Sequence, residues 1–181
     1  MKPSWSEGVH EDHRAISSEA QALEAALTVD IGPKDRRVVL SWIIRTLWPA
    51  LELHLRKEEE VLFPALEKLL GKEGGALTLL KEQNRELRQA QRHLAELVQP
   101  MVDQNWDAVR IATSAFLELL EDHEKKVERL LIDVLEFNLS PEELKGLARA
   151  FYELARKAHE EEGWPIPPWA VSRHSQEEVT G

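Results

Sequence analysis

The sequence predicts an all-α protein: an antiparallel up-down-up-down four-helix bundle with an additional C-terminal helix and an extended tail. Three observations lead there. Ala, Leu, Glu, Arg and Lys dominate the 181 residues, while glycine occurs only 8 times, a composition rich in helix formers. Apolar residues recur at three- and four-residue intervals over long runs, the period of an amphipathic helix. Gly-Pro, Gly-Gly and Pro-containing breaks separate these runs, and no alternating β-branched stretch competes with them.

The first run covers Ser6 to Val29. Val9, His13, Ile16, Ala20, Leu23 and Leu27 share one face, and Asp30-Ile31-Gly32-Pro33 stops it. The second opens at Pro33, a residue suited to a first helical turn. Its seam reads Leu40, Ile44, Leu47, Leu51, His54, Glu58, Val61, Ala65 and Leu69. Pro49 and Pro64 fall inside it, where the missing N–H predicts kinks. The third run covers Ala76 to Val98. Its seam passes through Leu80, Leu87 and Leu94, with either Gln83 or Asn84 interrupting it, and Gln99 to Asp103 form the break. The fourth covers Asn105 to Phe137, with a seam of Val109, Ala112, Phe116, Leu119, His123, Val127, Leu130, Val134 and Phe137. The fifth opens on Ser140-Pro141-Glu142-Glu143, a capping box, and runs to Glu162. The tail from Gly163 through Trp164 and Trp169 is expected to lie as an extended strap, with disorder from Ser172 onward. The division is therefore 1–138 for the bundle, 139–162 for an accessory helix and 163–181 for the tail.

Composition excludes several functions. The formal net charge of −10 is spread along the chain, whereas nucleic acid and anionic membranes need a basic face. The chain has no cysteine, so thiolate metal sites, disulfides and cysteine nucleophiles are out. No secretory signal is visible at Met1 to Glu7, and no run approaches the ~20 apolar residues of a membrane span. A soluble cytoplasmic protein is expected, with a homodimer left open.

The polar members of the seams carry the chemistry. His54 and Glu58 stand four residues apart, on one helical face. A level count about the turns tests whether the others join them. His13 lies 19 residues before Gly32 and His54 lies 22 after it; Gln83 and His123 each lie 20 from Asp103. Across the second turn the match is poorer, with Glu58 15 residues before Glu73 and Gln83 10 after it. The predicted layer holds His13, His54, Glu58, Gln83 or Asn84, and His123, with Glu128 at its edge. A buried unpaired carboxylate is very unfavourable, and a divalent cation would satisfy the imidazoles and the carboxylate together. A nitrogen-and-oxygen donor set suits non-haem iron, manganese or zinc. Any one of these residues alone reads more simply as a hydrogen-bonded core histidine or an ion-paired glutamate; their common level favours metal. Elsewhere, His10 reads most simply as exposed, with an alternative ligand or a residue of the site mouth as the other readings. His93 is a surface residue, His159 and His174 have no partner pattern, and Trp42, Trp48 and Trp106 are core or interface anchors.

The stretch His54-x3-Glu58-Glu59-x-Val61-Leu62-Phe63-Pro64 resembles the most recognisable motif of the hemerythrin-like, or HHE cation-binding, family. Glu11-Asp12-His13-Arg14-Ala15-Ile16 is similar to the family's first-helix motif, and Glu121-Asp122-His123 with Glu128 to its fourth. The resemblance covers residues 5 to 137. It implies a bundle around a non-haem di-iron centre that binds dioxygen, senses oxygen or iron, responds to nitric oxide or handles peroxide. It implies metal ligands at His13, His54, Glu58 and His123, with Glu58 as a bridge and Glu128 as a further carboxylate. Two positions depart from the family. The third helix has Gln83 and Asn84 where a histidine is expected, and Val127 stands where the fourth often has a carboxylate. The metal content implied is two irons, or one if the altered third helix removes the second site, with Gln83, Glu86 or water completing an altered pair. The competing reading is a metal-poor bundle used as an interaction or ligand-sensing module, and a weaker one is a porphyrin binder.

Overall fold

The computed structural model describes residues 4–71, 75–98 and 105–163. The expected strap and tail beyond Gly163 and the Gln99 to Asp103 break lie outside that set. The helices are α1 (Trp5–Thr28), α2 (Pro33–Lys57), α3 (Phe63–Leu70), α4 (Gly75–Val98), α5 (Trp106–Val127), α6 (Asp133–Asn138) and α7 (Pro141–Glu162). A π-helical turn over Glu58–Leu62 joins α2 to α3 as one rod, and another over Glu128–Ile132 joins α5 to α6. α1 packs on α2 and α5, and α4 packs on the same two, so the four rods close into an antiparallel bundle. The all-helical expectation holds.

Local chemistry sets the ends. Ser4 caps α1 and Ser140 caps α7, each in a reciprocal box with the glutamate three residues on, Glu7 and Glu143. The Asn105 side chain accepts from the Ala108 N–H at the start of α5. Gly71 closes α3 at φ +81° and Gly163 closes α7 at φ +67°, angles that a Cβ disfavours. Pro49 lies inside α2, which continues through it.

Two apolar clusters fill the bundle. The upper one holds Ile16, Ala20, Leu23, Leu40, Leu47, Leu51, Leu55, Leu87, Leu94, Val109, Phe116 and Leu120. The lower one holds Trp5, Val9, Leu62, Phe63, Leu66, Leu77, Leu80, Val127, Leu131, Ile132, Leu135 and Phe151. On every rod a polar residue separates them. His13 lies between Val9 and Ile16, Glu58 between Leu55 and Leu62, Gln83 and Asn84 between Leu80 and Leu87, and His123 between Leu120 and Val127. The uneven count across the second turn does not prevent this level: the Asn84 amide reaches Glu59.

The seams below that layer differ from the predicted ones. Val61 and Ala65 are only partly buried and Leu69 is exposed, while Leu62, Phe63 and Leu66 are buried. On the fourth rod Leu131, Ile132 and Leu135 are buried, and Phe137 is 89% exposed. The π turns are the cause. The Phe63 N–H bonds to the Glu58 carbonyl and the Asp133 N–H to the Glu128 carbonyl, each five residues back. Such a turn takes one more residue than an α turn and rotates everything after it by one position.

α7 lies on α1 and α2. Its Phe151 is buried in the lower cluster. Gly8 of α1 permits this approach: a Cβ there would stand 2.9 Å from both the Phe151 ring and the Tyr152 hydroxyl. The Pro33–Leu70 rod is long and apolar enough to cross a membrane by length and composition alone. Its Leu40, Leu47, Leu51, Leu62 and Leu66, however, are spent in the bundle core.

Candidate metal centre

His13 on α1, His54 near the end of α2, Glu58 at the start of the π turn that follows, and His123 on α5 converge between the two apolar clusters. All four are buried, with 7% of His13 exposed and 1% or less of the others. The His54 Nε2 atom is 3.1 Å from His13 Nε2 and 3.4 Å from His123 Nε2. It is 3.3 Å from Glu58 Oε1, which is 3.4 Å from His123 Nε2. All four donor atoms lie within 4.8 Å of one another.

These separations match those of a ligand set. Two donors bound about 2.1 Å from one ion at angles near 90–109° stand roughly 3.0–3.4 Å apart. Although Glu58 Oε1 is close to two imidazole nitrogens, neither Glu58 oxygen makes a hydrogen bond among the described residues. The three imidazole nitrogens and the Glu58 oxygen face one small region, with His54 Nε2 also within hydrogen-bond distance of His13 and His123. A wholly buried carboxylate in that condition is costly unless a cation satisfies it. The donor set therefore fits a small divalent cation.

A second set of residues holds the first in place. His54 Nδ1 faces the Asp12 carboxylate at 3.5 Å, and the buried Lys57 ammonium donates to both Asp12 oxygens at 2.8 and 3.1 Å. Lys57 also lies 4.3 Å from the centre of the Phe151 ring on α7. A carboxylate behind a ligating imidazole fixes its ring orientation and leaves the other nitrogen for the metal. Burial alone would raise the Asp12 carboxyl, but Lys57 and His54 outweigh it and hold it at about 2. Burial would likewise lower His54, but Glu58 and Asp12 raise it to about 9. Burial opposes ionisation of Glu58 as well, and His123 and His54 still hold its carboxyl well below the usual range. His13 moves the other way. Burial, then the His54 and His123 charges, keep it neutral, the form that ligates.

α4 contributes no imidazole. Gln83 and Asn84 are both buried and belong to the layer, so the two alternative seams of the third helix both reach it. The Gln83 amide donates to Asp122 at 2.8 Å and the Asn84 amide to Glu59 at 3.3 Å. Glu86 is exposed on α4. Glu128 is not brought to the cluster either: its side chain is about half exposed (47%) and faces His10 at 3.4 Å. It lies one position past the inward-facing Val127, and that step turns it away from the bundle axis.

Sequence reasoning passed over three interactions around the layer. Lys57 was hidden in a run of charges that reads as a solvated face; its place three residues after His54 was the available signal. Arg88 bridges Glu52 and Glu59 with contacts of 2.7 to 3.1 Å. Glu124 accepts from Ser17 at 2.5 Å, and burial raises its carboxyl. Neither pairing left a periodic signal. Among the tryptophans, Trp42 is exposed, Trp48 packs edge-on to Phe116 at 5.5 Å, and Trp106 lies beneath Arg36.

Bundle and site together define a helical protein with a buried nitrogen-and-oxygen cluster that could hold a metal ion. Comparison with known proteins gives the family. Residues 6–135 match the Hemerythrin HHE cation binding domain, and the chain belongs to that family. An uncharacterized hemerythrin-like protein of Schizosaccharomyces pombe is 29% identical over 153 residues, covering 81% of this chain and 66% of its own length. No solved structure matches.

Proposed function

We propose that this protein holds iron on His13, His54, Glu58 and His123 and there binds or senses a small oxidant: dioxygen, nitric oxide or peroxide. The observation that carries the reading is the convergence, within 4.8 Å, of three imidazole nitrogens and one carboxylate oxygen that makes no hydrogen bond among the described residues. Iron suits the donor set and the family, and when bound it supplies a redox-active Lewis acid for small ligands. The chain's own groups do the rest. Asp12 and Lys57 orient His54. Glu58 supplies the negative charge. The apolar clusters above and below keep bulk water from the layer. A porphyrin would need a slot between ligands, and the imidazole nitrogens stand only 3.1 and 3.4 Å apart.

The test is metal analysis and absorption spectroscopy on protein purified under iron-replete conditions, followed by titration with nitric oxide and with hydrogen peroxide. Iron that co-purifies with the wild-type chain, is lost in His54→Ala and changes its spectrum with either ligand supports the reading. Near-zero metal in wild type and His54→Ala alike would remove it. That outcome would favour an interaction module, the reading for which the amides of α4 speak.

A further inference from the structure

We infer that this site takes one divalent cation per chain, and that the side-chain oxygens of Gln83 and Asn84 form its α4 wall. The inference rests on the cation reading above and concerns how many ions the layer accepts and what closes it.

The amide orientations come first. Asp122 and Glu59 are carboxylates that can only accept, so the NH2 ends of Gln83 and Asn84 must face them. Asp122 is further fixed by Lys126 at 2.5 Å and Glu59 by Arg88 at 2.7 Å. Both carboxylates are partly exposed at the rim, with 53% and 34% of their side chains accessible. The amides are thus tethered outward by their nitrogens. Their oxygens, Gln83 Oε1 and Asn84 Oδ1, stay buried in the polar layer with no hydrogen-bond partner among the described residues. Two buried, unsatisfied neutral acceptors in the same layer as a carboxylate that makes no hydrogen bond call for an electropositive occupant.

Charge then limits the number of ions. Glu58 is the only carboxylate in the cluster of converging donors. Three of those around it already have a cation, Asp12 with Lys57, Asp122 with Lys126 and Glu59 with Arg88, while Glu124 is bonded to the Ser17 hydroxyl. One divalent cation with Glu58 leaves a single excess positive charge in a dry layer. Two would leave three, before any bridging anion, with only neutral imidazoles and amides to share them. Burying uncompensated charge is strongly unfavourable. Val127 reinforces the limit: it is fully buried, four residues after His123 on the same helical face, and offers no donor.

The experiment uses the full chain loaded anaerobically with ferrous iron. Metal per chain is counted by elemental analysis and native mass spectrometry, and the oxidised form is examined by electron paramagnetic resonance. One iron per chain, with the signal of an isolated high-spin ion, is expected. Two irons per chain with an exchange-coupled, silent pair would overturn the inference and leave the cation reading intact. No iron at all would overturn both. The wall is tested by affinity. Gln83→Met, of similar volume but without the oxygen, is expected to weaken iron binding about tenfold, the lower range for groups that support a metal centre. Gln83→Glu, which keeps an oxygen there and adds charge, is expected to match or exceed wild type. Unchanged affinity in Gln83→Met overturns the assignment of the wall. If Gln83→Met fails to fold, weakened binding in Gln83→Glu does the same.

Discussion

The two sides of the polar layer solve the problem of buried polarity in opposite ways. On α1, α2 and α5, the ring nitrogens of His13, His54 and His123 and one oxygen of Glu58 crowd to within 4.8 Å, and that oxygen makes no hydrogen bond among the described residues. On α4, Gln83 and Asn84 are bonded, but outward, to carboxylates at the rim. The first side gathers donors that a cation at its centre would satisfy together. The second is half satisfied by the protein and presents neutral oxygen to whatever the first side holds. A bundle can therefore keep the identifying half of a family's site while the opposite wall becomes a weaker, uncharged partner.

The comparison breaks most sharply at His54. Its Nε2 atom is the one near all three other donors, so His54→Ala should abolish retention of metal through dialysis. Elemental analysis reads this directly. Retention equal to wild type would mean that the three remaining donors suffice, and that the layer is not organised around His54.

Asp12 comes next, because it touches both ligand and core. Asp12→Ala leaves Lys57 buried beneath Phe151 without its carboxylate. Stranding one member of a buried pair costs about 3–5 kcal/mol, read as a lowered urea midpoint in chelator-treated protein. A loss below roughly 1 kcal/mol, the scale of exposed pairs, would show that water reaches Lys57 and that α7 does not seal it.

How much of this was legible in the sequence depends on what carried the signal. Helix existence, the Ser140 capping box and the level of His13, His54 and His123 were legible in residue pattern and simple rise per residue, and the structure agrees with them; the Ser4 box, just before the first run as read, was not. Register below the site did not follow, because a π turn leaves no mark on hydrophobic spacing until it has passed. Pro64 hinted at irregularity in the second rod; nothing in Glu128 to Ile132 hinted at it in the fourth. Glu128 was misjudged for a related reason, since one step past Val127 sends a side chain out of the bundle. The Asp12–Lys57 pair was invisible because a charged run usually means solvent, and only the arrival of α7 buries it.

The register shift has its own test. Leu66 is fully buried in the lower cluster and Leu69 is 38% exposed, although an unbroken α-helix would favour Leu69. Leu66→Ala should cost about 2–5 kcal/mol by opening a cavity. Leu69→Ala should stay within about 0.5 kcal/mol, as exposed positions do. Paired denaturation curves check this, and reversed magnitudes would restore the unbroken helix. Gly8→Ala is expected to follow at about 1–3 kcal/mol through overpacking, because the Phe151 ring 2.9 Å away is itself buried and has little room to yield. A neutral result there would mean that α7 can shift off α1 without loss.

The smallest effect is expected at Phe137, and it is informative because it is small. The fourth seam, read as a continuous helix, puts this aromatic ring in the core, where truncation would cost about 3–5 kcal/mol. The structure leaves the ring 89% exposed, with Leu135 buried in its place. Phe137→Ser should therefore change stability by no more than about 0.5 kcal/mol, while Leu135→Ala at the same end of the rod should cost several times that. Thermal denaturation of the two variants side by side decides it. The π turn over Glu128–Ile132 alone separates the two expectations, so the pair of midpoints reports whether that turn is present in solution.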